Sequence, residues 1–348
     1  MRLTLAALII CILTNLGLPT PINAGPGFPG SPDQTMPAPS LFVALAGRDG
    51  TGAVAVLDPT TNKIRRVARF PVTYFPMVAS PTKPLLFVLD WNTATQIYFI
   101  NTNTIGLVGT VSTTSEITGM TLGDNGNILY AASGNQVLEI SVQTRTIKAA
   151  ITLPGSVFDV AVVGQGHRLY ATLPDLHEFA VIDATTNTVR GFVRAGHCDY
   201  RTGRHDPCYP RDIRTSPGGR YAIAVSGHNA IAIDTMTGTV LASPAVETFD
   251  FSDYALAVDP STDELWINGA GVKHSQYTSI DMLPPFNVVS SFAEFHLSAP
   301  NSAAFTPNGQ GYGSFYGDAR EKVTFFPPSQ DGLRLHLGTP AGPIIYVP

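Results

Sequence analysis

One motif recurs along the 348-residue chain: an alternating apolar run that closes on Asp or a small polar residue. The copies are VAVLD (54–58), IYFIN (97–101), VLEIS (137–141), FAVID (179–183), IAID (231–234), YTSID (277–281) and, with Pro in place of the polar residue, VTFFP (323–327). Their last residues lie 43, 40, 42, 51, 47 and 46 positions apart. Alternation with period two marks a strand. A near-constant period of this length marks a fold built by repetition of one small unit.

A second marker precedes these runs: ASPTK (79–83), TSPGG (215–219), VDPST (258–262) and FTPNG (305–309). Pro and Gly there specify tight turns between strands, and an apolar run follows each, as in LLFVLD and YAIAVS. A polar turn and another apolar run follow several of the Asp-ended copies, as in DATTNTVRGFVRA. Each unit therefore contains four short strands, which is the blade of a β-propeller. The first unit starts at LFVALAG (41–47) without its innermost strand, and the chain ends in PIIYVP (343–348). The expectation is an all-β, seven-bladed propeller over residues 41–348, closed by a C-terminal strand that completes blade 1 and leaves no open sheet edge.

The segments FAVIDATTNTVRGFVRA (179–195) and TSPGGRYAIAVSGHNAIAIDTMTGTV (215–240) resemble the YVTN family of β-propeller repeats, also found in surface-layer and lactonase-like propellers. The resemblance covers residues 41–348 and implies a shape rather than a chemistry, because relatives of this kind include binding proteins, hydrolases, lyases and redox enzymes.

The N-terminus, MRLTLAALIICILTNLGL followed by PTPINA, has the plan of a secretory signal peptide ending at Ala24. Residues 25–40 lack a hydrophobic period and read as a flexible leader. Secretion, into a periplasm or to the cell surface, is the expected location. No later apolar run reaches the roughly 20 residues of a membrane span. A net charge of −5 with no basic stripe argues against a nucleic-acid partner.

The widest spacing of the repeat contains HCDYRTGRHDPCYPRD (197–212), whose six Asp and Arg residues stand out in a chain that is 14% charged. Cys198 and Cys208 read as a disulfide in an exported protein. Such a bridge either restrains a long insertion or pre-organises Tyr200, Arg201, Arg204 and His205 for a ligand. The insertion belongs to the loops that gather on one face, where propeller ligands sit. Two further constellations fall there. Histidines, among them His197, His205, His228 and His274, are copper, zinc or iron ligands if they converge. Asp159 and Asp212, at the starts of inner strands, with Asp253 and Asn301 near the equivalent points, offer the oxygen ligands calcium prefers. Arg211 beside Asp212 supplies the competing explanation, an ion pair with no cation.

No GxSxG elbow or phosphate loop is present, and no cofactor is specified. The sequence thus favours a secreted binding or scaffold module for a small ligand or partner protein, with Arg211, Asp212 and Asp159 among its contacts. The alternatives are a metal-dependent lactonase-like hydrolase or lyase and a metal-bearing oxidoreductase.

Overall fold

The computed structural model describes residues 39–46, 52–70, 74–90, 92–123, 126–163, 167–199, 205–246, 254–270, 275–294, 299–316, 322–326, 334–336 and 341–347. Among them the strands form seven four-stranded sheets and one two-stranded ribbon, with antiparallel pairing throughout. We number the sheets as blades in chain order.

Blade 1 sets Ala341–Val347 beside Ser40–Ala46, then Gly52–Asp58 and Lys63–Phe70 outermost. Leu41 faces Tyr346 and Val43 faces Ile344, so the first and last described strands share one sheet. Blade 2 runs outward through Tyr74–Ala79, Leu85–Asp90, Gln96–Asn101 and Gly106–Ser112. Blade 3 comprises Ile117–Leu122, Ile128–Ser133, Gln136–Ser141 and Thr146–Thr152, and blade 4 Val160–Val163, Arg168–Leu173, Glu178–Asp183 and Thr188–Arg194. Blade 5 holds Ile213–Thr215, Tyr221–Ser226, Asn229–Asp234 and Thr239–Ala242. Blade 6 holds Tyr254–Asp259, Glu264–Ala270, Ser275–Asp281 and Val288–Glu294, and blade 7 Ala299–Phe305, Gly311–Tyr316, Lys322–Phe326 and Arg334–His336.

In blades 1, 2, 4 and 5 the polar residue that ends the third strand builds the turn that follows. Asp58 Oδ1 accepts from the amides of Thr60 and Thr61, Asp183 Oδ1 from Thr185 and Thr186, and Asp234 Oδ1 from Met236 and Thr237. Asn101 Oδ1 accepts from the amides of Asn103 and Thr104 in the same way. Four residues beyond the Asp, Asn or Ser the backbone turns left-handed, at Asn62, Ile105, Arg145, Asn187 and Gly238. That conformation costs little when a side-chain oxygen has already satisfied the turn's amides. A register shift recurs beside the turn, at Val56/Leu57, Phe99/Ile100, Glu139/Ile140, Val181/Ile182, Ala232/Ile233 and Ser279/Ile280. One repeated sequence signal thus produces one repeated bulge and turn.

Burial follows position in the blade. The middle strands are covered on both faces, as in Asn229–Asp234, where every residue is buried. Their sequences are accordingly continuous apolar runs. Outer strands such as Thr146–Thr152 are exposed along most of their length. The core is divided into slabs between successive blades. Phe42 and Val54 pack with Leu86 and Ile100, Phe87 and Phe99 with Leu129 and Ile140, and Tyr170 and Phe179 with Ile213 and Ile231. Leu41 and Val43 pack with Ala304 and Tyr312 of blade 7. Trp266, 8% exposed, lies between blades 6 and 7 against Phe305, as its place inside a strand suggests.

The export signal expected over 1–24 lies outside the described residues, as does the leader except for its last two positions. Ser40, assigned to the leader, instead opens the first strand and is buried, because its neighbours pair with residues 344–347. No helix of the described residues is long and apolar enough to cross a membrane.

Candidate functional site

The charged insertion between blades 4 and 5 is a short ribbon. His197–Asp199 pairs with His205–Pro207, with His197 opposite Pro207 and Asp199 opposite His205. Cys198 and Cys208 form a disulfide with their Cα atoms 5.0 Å apart. Both cysteines are 0% exposed and pack with Phe179, Ala195, Ile213 and Ala224 in the slab between the two blades. The bridge is therefore a core element of the 4–5 cleft, and the ribbon grows out of it.

Hydrogen bonds fasten the base of the ribbon to both blades. The Cys208 amide donates to Gly196 O at 3.0 Å and the Ala195 amide to His177 O at 2.9 Å. The Tyr209 amide donates to Ser226 Oγ at 2.7 Å. His177 has a left-handed backbone, φ 57°, at the end of a 3-10 turn over Pro174–Leu176. That geometry brings its Nδ1 to 3.2 Å from Cys208 O and its ring edge-on to Tyr209, with centroids 4.4 Å apart. Tyr209 is 46% exposed, an aromatic platform beside the bridge.

Next to this base lies a carboxylate–guanidinium cluster. Asp159, just ahead of the inner strand of blade 4, is 5% exposed. Its Oδ1 accepts from the Val160 amide at 2.8 Å, and its Oδ2 from the Ile213 amide at 3.1 Å and Arg214 Nη1 at 2.9 Å. Its own amide donates to Thr172 Oγ1 at 2.9 Å. Arg214 Nη1 also donates to Ile213 O at 2.7 Å. On the other side stands Gly119 of blade 3, where a Cβ would come within 2.9 Å of Asp159 Cα. Burial raises the Asp159 pKa, against the lowering pull of Arg214 and the two amides.

Asp212 is half-buried beside this pair. Desolvation first, and then the charge of Asp159, push its carboxyl up to about 6, while Arg214 and Arg211 pull the other way. Arg211 acts on Asp212 as a neighbouring cation, and its guanidinium also lies over the Phe158 ring, 4.4 Å from the centroid. The buried carboxylate of Asp159 is paired from the next blade by Arg214. Asp212 and Arg214 are two residues apart at the start of a strand, which puts them on one face. That spacing was the available signal for Arg214. Nothing in the sequence marks Phe158 or Gly119 as part of the cluster.

The other expected residues divide as follows. His197 is exposed on the ribbon and His228 half-buried at the same end of blade 5. Tyr200, Arg201, Arg204, Asp253 and His274 lie outside the described residues, as do the side chains of His205 and Asn301. Among the described residues no group of three or more His, Cys, Asp or Glu is gathered as a metal site. Both oxygens of Asp159 are already engaged by protein donors, which leaves it poorly placed as a calcium ligand.

Four-stranded antiparallel blades in succession, with apolar slabs between them, define the chain as an all-β protein of the β-propeller class. Solved structures agree on this fold. A functionally unknown protein from Desulfotomaculum acetoxidans is similar at TM-score 0.70 and 11% identity, over 88% of this chain and 98% of that one. The β-propeller domain of Cps50 (Swd1) from Myceliophteria thermophila is similar at TM-score 0.60 and 14% identity, over 75% and 85%. Hydrazine synthase from Kuenenia stuttgartiensis is similar at TM-score 0.59 and 16% identity, over 72% and 75%. No family model matches the chain. No curated protein matches it either.

Proposed function

We propose that this chain is an exported, YVTN-like propeller of seven blades in one ring, acting as a binding module. The pairing of Ser40–Ala46 with Ala341–Val347 supports ring closure. The buried Cys198–Cys208 bridge is compatible with an oxidising compartment. The ligand or partner surface is the 4–5 sector of the ribbon-bearing face, where Tyr209, Arg211 and Asp212 present an aromatic ring and both signs of charge. We assign Tyr200, Arg201, Arg204 and His205, which the same insertion contributes in sequence, to that surface as well.

The observation that carries this reading is the anchoring of the insertion. A bridge sealed in the core and amide bonds to both blades hold its base, which reduces the ordering entropy a ligand must offset. The test is affinity capture from the extracellular fraction of the source cells. The bait is the mature protein or its Tyr209→Ala/Arg211→Ala variant of equal melting temperature. A partner retained by the first and lost by the second supports the reading, and identical retention by both overturns it.

A hydrolase reading has one observation in its favour: the raised carboxyl of Asp212 beside Asp159, a pairing that active sites use for proton transfer. Turnover of a lactone panel by the mature protein, abolished by Asp212→Asn, would replace the binding reading with that one.

A further inference from the structure

At the opposite end of the same cleft the repeat itself exposes a vacancy. In five other clefts, the left-handed residue after the third strand, or the Phe286 that stands there in blade 6, places a side chain against the preceding blade. Asn62 Oδ1 accepts from the Tyr312 hydroxyl at 2.9 Å between blades 7 and 1. Ile105, 4% exposed, joins the slab between blades 1 and 2. Arg145 occupies the space a Cβ on Gly109 would need and donates from Nη1 to Val108 O between blades 2 and 3. Asn187 Nδ2 donates to Glu139 Oε2 between blades 3 and 4. Phe286, 3% exposed, meets Tyr221 edge-on at 5.4 Å between blades 5 and 6.

Between blades 4 and 5 the equivalent residue is Gly238, φ 70°, which has no side chain to insert. A groove of about 600 Å³ opens there. Tyr170, Phe192 and Met236 form its apolar wall, and the last two are 45% and 59% exposed. Gly191, on the same wall, has nothing within 4 Å of where a Cβ would project. The charged lining is Arg168, Arg190 and Asp183: two guanidiniums against one carboxylate, in a chain whose net charge is −5. Both arginines are held in place. Arg168 Nη1 donates to Thr235 O at 3.1 Å and Met236 O at 3.3 Å, and Arg190 Nε to Asp183 Oδ2 at 3.1 Å. Five donors on each guanidinium leave N–H groups for a ligand.

We propose that this groove binds a small amphipathic carboxylate, its apolar body in the slot that Gly238 leaves open and its carboxylate on Arg168 and Arg190. The volume lies within the range of small-ligand sites, and the excess positive charge selects an anion. The inference goes beyond the binding surface proposed above, since it uses the other ends of the strands and none of the same residues.

The probe is 2-naphthoate, titrated calorimetrically into the mature protein, with uncharged 2-naphthalenemethanol for comparison. Saturable one-to-one binding of naphthoate is expected, with the alcohol about tenfold weaker for want of the charge-assisted bonds. Gly191→Leu, which projects into open space without backbone strain, should fill the groove and weaken naphthoate by at least about tenfold. Arg190→Gln should weaken it by about tenfold and leave the alcohol unchanged. Absence of saturable naphthoate binding overturns the proposal. So does undiminished binding by a Gly191→Leu protein of native melting temperature, or equal affinity for acid and alcohol.

Discussion

Asp159 and Arg214 stand on different blades, and Arg214 Nη1 donates to Asp159 Oδ2 at 2.9 Å. The same carboxylate takes the amides of Val160 and Ile213, so one buried group of blade 4 is satisfied in part by blade 5. Gly119 of blade 3 closes over it from the other side. Three inner strands are thus registered on a single side chain, next to the base of the disulfide-bonded ribbon.

Removing the guanidinium leaves Asp159 with amide donors only. Arg214→Ala should cost about 2 kcal/mol, less than for a fully buried pair because the Arg214 side chain is 39% exposed. Urea unfolding measures this, and an unshifted midpoint would show that the pair contributes nothing net.

Gly119→Ala probes the same cluster from blade 3. A methyl group there meets backbone and a held carboxylate rather than a mobile chain end, so the inner strands must separate. A loss of about 2 kcal/mol is expected from overpacking. Native thermal stability in this variant would mean that the approach of blades 3 and 4 is looser than the geometry states.

The pH dependence of stability has two opposed parts. Asp212 binds its proton more tightly folded than unfolded, so between its ordinary 3.8 and about 6 the native state holds the extra proton and stability falls as pH rises. Asp212→Asn should therefore be more stable than the native chain at pH 7, by about 2 kcal/mol, and converge with it below pH 4. Asp58 acts in the opposite sense. Arg65 holds it down to about 2, so its contribution is present above 3.8 and is lost as pH falls toward 2. Chemical unfolding of both proteins across this range decides the matter. A gap of constant size would show that Asp212 does not titrate as described.

Replacing both bridge cysteines with alanine should cost about 3 kcal/mol by the chain-entropy model. Affinity for a captured partner separates two roles. If affinity falls along with stability, the bridge pre-organises the ribbon; if stability alone falls, the bridge only braces the cleft.

The proposed ring closure is tested at Ile344, 3% exposed, which packs with Leu41, Val43 and Tyr312. Ile344→Ala should cost about 3 kcal/mol through the cavity it leaves. Deletion of residues 343–348 should destabilise every blade together, seen as one cooperative transition shifted downward. An unchanged unfolding midpoint after the deletion would refute closure through this strand.

The blade pattern was legible in the chain because each blade's strands and turns are local. Asp58, Asp183 and Asp234 bond amides two and three residues away, so the turn is written within a few positions of its signal. The pairing of Cys198 with Cys208 was legible for the same reason, being ten residues apart in one insertion. The site was less so. The partner of the buried Asp159 carboxylate is Arg214, 55 positions away on another blade. Only the docking of blade 5 on blade 4 brings that guanidinium across.

What the sequence determined by itself is therefore the unit: four strands, a polar turn, and the period at which they return. What only the tertiary structure decided is what lies between units. The burial of the disulfide, the role of Gly119 as a seat for Asp159, and the vacancy at Gly238 all depend on the surface a neighbouring blade presents. Gly238 sits in the same turn as Asn62, Ile105 and Arg145 and makes the same backbone bond. The turn residue supplies or withholds the filling side chain, but the surface it meets belongs to the preceding blade some forty residues away, and only the docking of the two blades makes the omission a groove.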